Sequence, residues 1–121
     1  MAILDIGDAM GLAQSIRFDK ESIMTATQMA LNDQQAQEKL QRLEGWERQG
    51  AEICKTFNFE DFYHTMAFVN AIAWIANRED HHPDLEVGYN HCIVRYSTHS
   101  AGGVTDKDFL CAAKIEKLME L

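Results

Sequence analysis

The stretch that decides the fold runs from Phe57 to His99, "FNFEDFYHTMAFVNAIAWIANREDHHPDLEVGYNHCIVRYSTH". Two periodicities meet in it. Phe62, Met66, Val69, Ala73 and Ala76 recur at alternating steps of four and three, which predicts one long helix with a continuous apolar stripe, capped by Asn58. Phe68, Ile72 and Ile75 form a second stripe beside the first. An apolar arc this wide suits either a deeply buried helix or one that covers a sheet and also touches a second body. Pro83 then disfavours helical backbone at His82 and cannot continue the ladder, so the helix is expected to give way within "REDHHP". Beyond it, Cys92, Val94 and Tyr96 alternate with His91, Ile93 and Arg95, as in a strand whose first set faces the core.

Working outward, Gly50 reads as the turn of a hairpin between Trp46 and Phe59, in which Ile53 and Phe57 share a parity. Asn32 with Gln35 reads as the start of a short helix whose face is Ala36, Leu40 and Leu43. Past the loop "SAGGV", Thr105 and Asp108 stand in capping-box spacing, opening a final helix that buries Cys111, Ala112, Ile115, Leu118 and Met119. The order is α-β-β-α-β-β-α. It predicts an α+β domain, a four-stranded antiparallel sheet with helices packed on one face. Residues 1–29 read as an N-terminal extension and 30–121 as the domain.

At 121 residues, 46% of them hydrophobic, the chain has material for one core. Nineteen acidic against eleven basic residues, net −8, leave no basic field, so neither nucleic acid nor an anionic membrane is an expected partner. "MAILDIGDAMG" lacks a signal peptide's basic start, and no apolar run reaches the roughly 20 residues of a membrane span. Three widely spaced cysteines, Cys54, Cys92 and Cys111, form no C-x-x-C pair and read as buried thiols of a reducing, cytoplasmic compartment.

Four of the five histidines lie between Glu79 and Ser100. A zinc site would need ligands at helical i, i+4 or tight-turn spacing, and His81, His82, His91 and His99 have neither, so no metal is expected. Acid–base chemistry asks only for two imidazoles at one substrate. His81 falls at the C-terminal end of the long helix, where the dipole favours positive charge, and His99 ends a strand beside a glycine loop. His64 and His91 are assigned to solvent-facing positions. Asp108 has two compatible readings, a helix cap and a carboxylate beside the cleft that orients an imidazole or holds a substrate donor.

"HHPDLEVGYNHCIVRYSTHSAGGVTDKDF" resembles the signature of the pterin-4a-carbinolamine dehydratases: His81, His82 and Pro83, then Tyr89, then Thr98 and His99, a glycine-rich loop and Asp108. "LEGW" at Leu43 to Trp46 and the long helix also resemble that family, over roughly residues 30 to 121. The resemblance implies a homo-oligomeric α+β enzyme that dehydrates 4a-hydroxytetrahydropterin to quinonoid dihydropterin. Pterin is then substrate, with no metal or bound cofactor, and the partner in metabolism is an aromatic amino-acid hydroxylase. It further implies His81 and His99 as the acid–base pair, His82 lining the pterin pocket, and Pro83 and Asp108 shaping it. One position departs: the family commonly has a charged residue four places before the first histidine, and here stands Asn77, which hydrogen-bonds but carries no charge. The other function the resemblance admits is a dimerisation or coactivator module that works through a helical surface.

Overall fold

The computed structural model describes residues 29–121. The expected extension, 1–29, lies outside the described residues except for Met29. The elements are α1 (Asp33–Leu40), β1 (Glu47–Gln49), β2 (Glu52–Asn58), α2 (Phe62–Glu79), β3 (Asp84–Val87), β4 (His91–Tyr96), a 3₁₀ turn (His99–Ala101) and α3 (Asp106–Met119). The predicted order α-β-β-α-β-β-α and the α+β class are what the structure shows.

All strands pair antiparallel, in the order β1-β2-β4-β3. Two hairpins lie side by side, and α2 links them. The β1–β2 turn is at Gly50, whose φ of +62° is a conformation glycine adopts without a Cβ clash. Ile53 opposite Tyr96, and Phe57 opposite Cys92, put the apolar parity of both central strands on one face. There they meet Phe68, Ile72 and Ile75 of α2 and Cys111, Ala112 and Ile115 of α3 in one core. The other face is polar, with Arg95 pairing Glu86 at 3.2 Å and Glu52 at 3.7 Å across the strands.

Two expectations need correction, and the end of the long helix falls where it was expected. The cap of α2 is Asp61, not Asn58, because Asn58 is still in β2, opposite His91. The helix gives way at Asp80, within "REDHHP" and ahead of Pro83. Asp80 takes a left-handed φ of +52°, its N–H reaching the Asn77 carbonyl, while the His81 N–H returns to the Ala76 carbonyl at 3.1 Å; this is a Schellman ending with Asp where glycine is usual. Finally, the buried stripe is Thr65, Phe68, Ile72 and Ile75, whereas Phe62 and Ala73 are exposed. Met66, Val69 and Ala76 of the other stripe are half-buried beside it. The helix is therefore covered on one side only, leaving Phe62, Tyr63 and Trp74 more than half exposed.

Candidate active site

The candidate residues gather where the end of α2, the end of β4 and the start of α3 converge. The Schellman ending fixes the backbone of His81 as the chain leaves α2. From there its Nε2 lies 2.5 Å from Asp108 Oδ1, and its ring stacks on Tyr96 at 5.5 Å between centroids, with 20° between planes. The His81 side chain is only 13% exposed and Asp108 is fully buried. An imidazole held at one edge by a carboxylate and on one face by an aromatic ring has little freedom to reorient. With Nε2 engaged, Nδ1 is the nitrogen left for chemistry.

The cap reading of Asp108 is met on one oxygen, and the other oxygen meets an imidazole. Oδ2 accepts the Thr105 backbone N–H at 2.9 Å, completing the capping box of α3. The same Oδ2 accepts the Thr98 hydroxyl at 2.8 Å, and Oδ1 meets His81. A carboxylate wholly out of water requires this saturation of its lone pairs. The location also suits the charges: Asp108 sits in the positive first turn of α3, and His81 follows the negative end of α2. Lys107 Nζ to the Asp80 carbonyl, 3.4 Å, and Lys114 to Glu79, 3.1 Å, tie the two helix ends together.

His99 opens the 3₁₀ turn immediately after Thr98 and is exposed, as is His82. Pro83 is half-buried just before β3, and Asn77 is exposed on the last turn of α2. Among the described residues, the side-chain hydrogen bond that joins two of the six candidates is that between His81 and Asp108; His99 is tied to this pair through its neighbour Thr98. His91 is half-buried on the polar side of β4, and His64 is exposed on α2, as expected. His64 Nδ1 and Asp61 Oδ1 are 2.7 Å apart, and with Glu60 they form a converging trio of side chains of the kind that can hold a metal. The trio is explained by the cap of α2, since the same Asp61 oxygen accepts the His64 N–H at 2.9 Å.

Sequence reasoning named Thr98 only as part of the signature, without a role, and missed Tyr96 as a neighbour of the site. The signal was present: the inward alternation of Cys92, Val94 and Tyr96 extends to Thr98, and a buried hydroxyl must find a partner. The Tyr96 hydroxyl, by contrast, finds none among the described residues. Burial, foremost, pushes its phenol well above the usual range. The adjacent Cys111 thiol is pushed up to about 11, again chiefly by burial, and is at best a weak acceptor.

Residues 29–118 match the family model described as pterin 4 alpha carbinolamine dehydratase. A relative from Nitrosospira multiformis, provisionally named a pterin-4-alpha-carbinolamine dehydratase, is 50% identical over 91 residues, 75% of this chain and 80% of its own. One from Bdellovibrio bacteriovorus, with the same provisional name, is 53% identical over 93 residues, 74% of this chain and 78% of its own. Among solved structures, a transcriptional coactivator/pterin dehydratase from Brucella melitensis is similar with TM-score 0.71 and 33% identity, covering 73% of this chain and 96% of that one. A pterin dehydratase-like RuBisCO assembly factor of the alpha-carboxysome, 19% identical with TM-score 0.51 over 60% of this chain and 84% of its own, shares the fold.

Proposed function

The chain belongs to the pterin 4 alpha carbinolamine dehydratase family, and on that premise we propose that it is a hydro-lyase converting 4a-hydroxytetrahydropterin to quinonoid dihydropterin and water. The observation that carries this reading is the buried Asp108 holding His81 by Nε2, one residue before the exposed His82. Loss of water from a carbinolamine needs a proton on the departing hydroxyl and a proton taken from the ring nitrogen. His81, through Nδ1, and His99 are the pair proposed to move them. His82 and Pro83 line the pterin, and Asn77 offers it a neutral hydrogen-bonding amide. The residues invoked supply the whole of this proton chemistry, so pterin enters as substrate, without metal or bound cofactor.

In cells the reaction would serve an aromatic amino-acid hydroxylase, whose spent pterin it returns, and the free buried thiols Cys54, Cys92 and Cys111 suit a reducing cytoplasm. Among the described residues no helix is long and apolar enough to cross a membrane. The exposed Phe62, Tyr63 and Trp74 of α2 support assembly into a homo-oligomer. The same face would serve a dimerisation or coactivator role were catalysis absent.

The test is a coupled assay with a pterin-dependent hydroxylase, with and without chelator. The wild type is expected to accelerate dehydration equally in both arms, and His99→Ala to lower the rate roughly 100-fold, the scale of a lost acid–base group. An unchanged rate in His99→Ala would remove that residue from the site. No acceleration by the wild type would favour the protein-binding role.

A further inference from the structure

We infer that Thr98 is a positioning residue whose hydroxyl orients Asp108, so that His81 presents Nδ1, and that it couples the His99 turn to the His81 pair; this rests on the acid–base reading above. The direction of each hydrogen bond follows from counting protons. A carboxylate has none to give, so the Thr98 hydroxyl donates to Asp108 Oδ2 at 2.8 Å. That uses its single hydrogen. The 2.8 Å contact between Thr98 Oγ1 and Thr105 Oγ1 must then be donated by Thr105. Thr105 Oγ1 meanwhile accepts the Lys107 backbone N–H at 3.2 Å, which agrees with that direction. The chain runs from Lys107 N–H to Thr105, to Thr98, to Asp108, and each bond polarises the next.

The result is a carboxylate whose Oδ2 is filled by two donors, the Thr98 hydroxyl and the Thr105 N–H, leaving Oδ1 for His81. With this carboxylate as acceptor, the proton on the His81 ring nearest to it belongs on Nε2. Without the Thr98 hydroxyl, the carboxylate can rotate about its χ2 axis, a soft torsion, and the Nε2 contact loses its aim.

Thr98 also stands at the joint between the two arms of the site. Its N–H reaches the Gly103 carbonyl at 3.0 Å, and its carbonyl accepts the N–H of Ala101 at 2.9 Å and of Gly102 at 3.1 Å, folding the turn that begins with His99. One residue thus closes the His99 turn with its backbone and steers Asp108 with its side chain. Thr98→Val keeps the backbone bonds and the shape and deletes only the hydroxyl, so it separates the two roles.

The experiment uses the full chain. Long-range ¹⁵N–¹H correlation NMR reads the His81 tautomer, and steady-state kinetics with 4a-hydroxytetrahydropterin read kcat and KM. The wild type is expected to show a single tautomer with the proton on Nε2. Thr98→Val should mix the tautomers and lower kcat roughly ten-fold, as misaimed groups do, with KM within about two-fold. Thr98→Ser, which keeps the hydroxyl, should restore both readouts. A wild-type His81 protonated on Nδ1 overturns the inference whether or not Thr98→Val folds. So does a folded Thr98→Val with one tautomer and unchanged kcat. The tautomer is read without turnover, so a protein that fails to dehydrate the pterin would overturn the proposed function while the spectra still decide the role of Thr98.

Discussion

Asp108 divides its two oxygens between a helix cap and an imidazole, one closing the first turn of α3 and the other facing His81. The first role is legible in the sequence because Thr105 and Asp108 are three residues apart and capping is local. The second spans 27 residues, and no local rule reports it; the family signature alone places the two in register. Thr98 and Tyr96 are harder to read, since strand parity says that they point inward but not which side chains they meet. The Tyr96 hydroxyl has no hydrogen-bond partner among the described residues, so Tyr96→Phe removes an unsatisfied group and keeps the ring against His81. Denaturant unfolding should show Tyr96→Phe more stable than wild type by about 1 kcal/mol, within the range for an unpaired buried hydroxyl. A loss of stability would mean that the hydroxyl has a partner after all.

Helix α2 shows what element-level reading captures and what it misses. Its existence follows from the four-and-three spacing, but two neighbouring stripes each satisfy that spacing, and only contact with the sheet selects Phe68, Ile72 and Ile75. Its start is ambiguous because Asn58 and Asp61 are both good caps, and pairing of Asn58 in β2 leaves the role to Asp61. The cap carries a pH signature. The His64 N–H, and then its ring, hold the Asp61 carboxyl below its ordinary 3.8, and the Asp61 side chain holds the His64 imidazole above its ordinary 6.5. The raised histidine contributes stability that is fully present below 6.5 and lost as pH rises through its folded-state value. The lowered aspartate contributes stability present above 3.8 and lost as pH falls through its own. The pair should therefore favour the fold most between those two values, by a small amount at so exposed a site. NMR titration should find His64 above 6.5 in wild type and close to it in Asp61→Asn; equal midpoints in the two proteins would show that the ion pair does not form in solution.

Strand parity and turn residues make the two hairpins legible, and the polar face follows from the alternation in β4. Their side-by-side pairing through β2 and β4 is a long-range choice, made because it joins the two apolar strand faces under α2 and α3. What the pattern leaves open is the outward face of α2. There Trp74 lines a cleft of about 720 Å³ with Ala71, Ile75, Lys114, Lys117, Leu118 and Leu121. If this face seats another copy, sedimentation equilibrium should give a mass above the 13.8 kDa of one chain, and Trp74→Glu should return it toward one chain. A monomeric wild type would rule out assembly through this face.

The proposal is that His81, held by Asp108, and His99 together move the protons of a pterin dehydration. It is tested most directly by the stopped-flow rate of 4a-hydroxytetrahydropterin dehydration, comparing wild type with His99→Ala at neutral pH. Wild type should clearly accelerate the reaction over the uncatalysed rate, and the variant should be roughly 100-fold slower than wild type. A wild-type rate equal to the uncatalysed one, or a variant as fast as wild type, would contradict it.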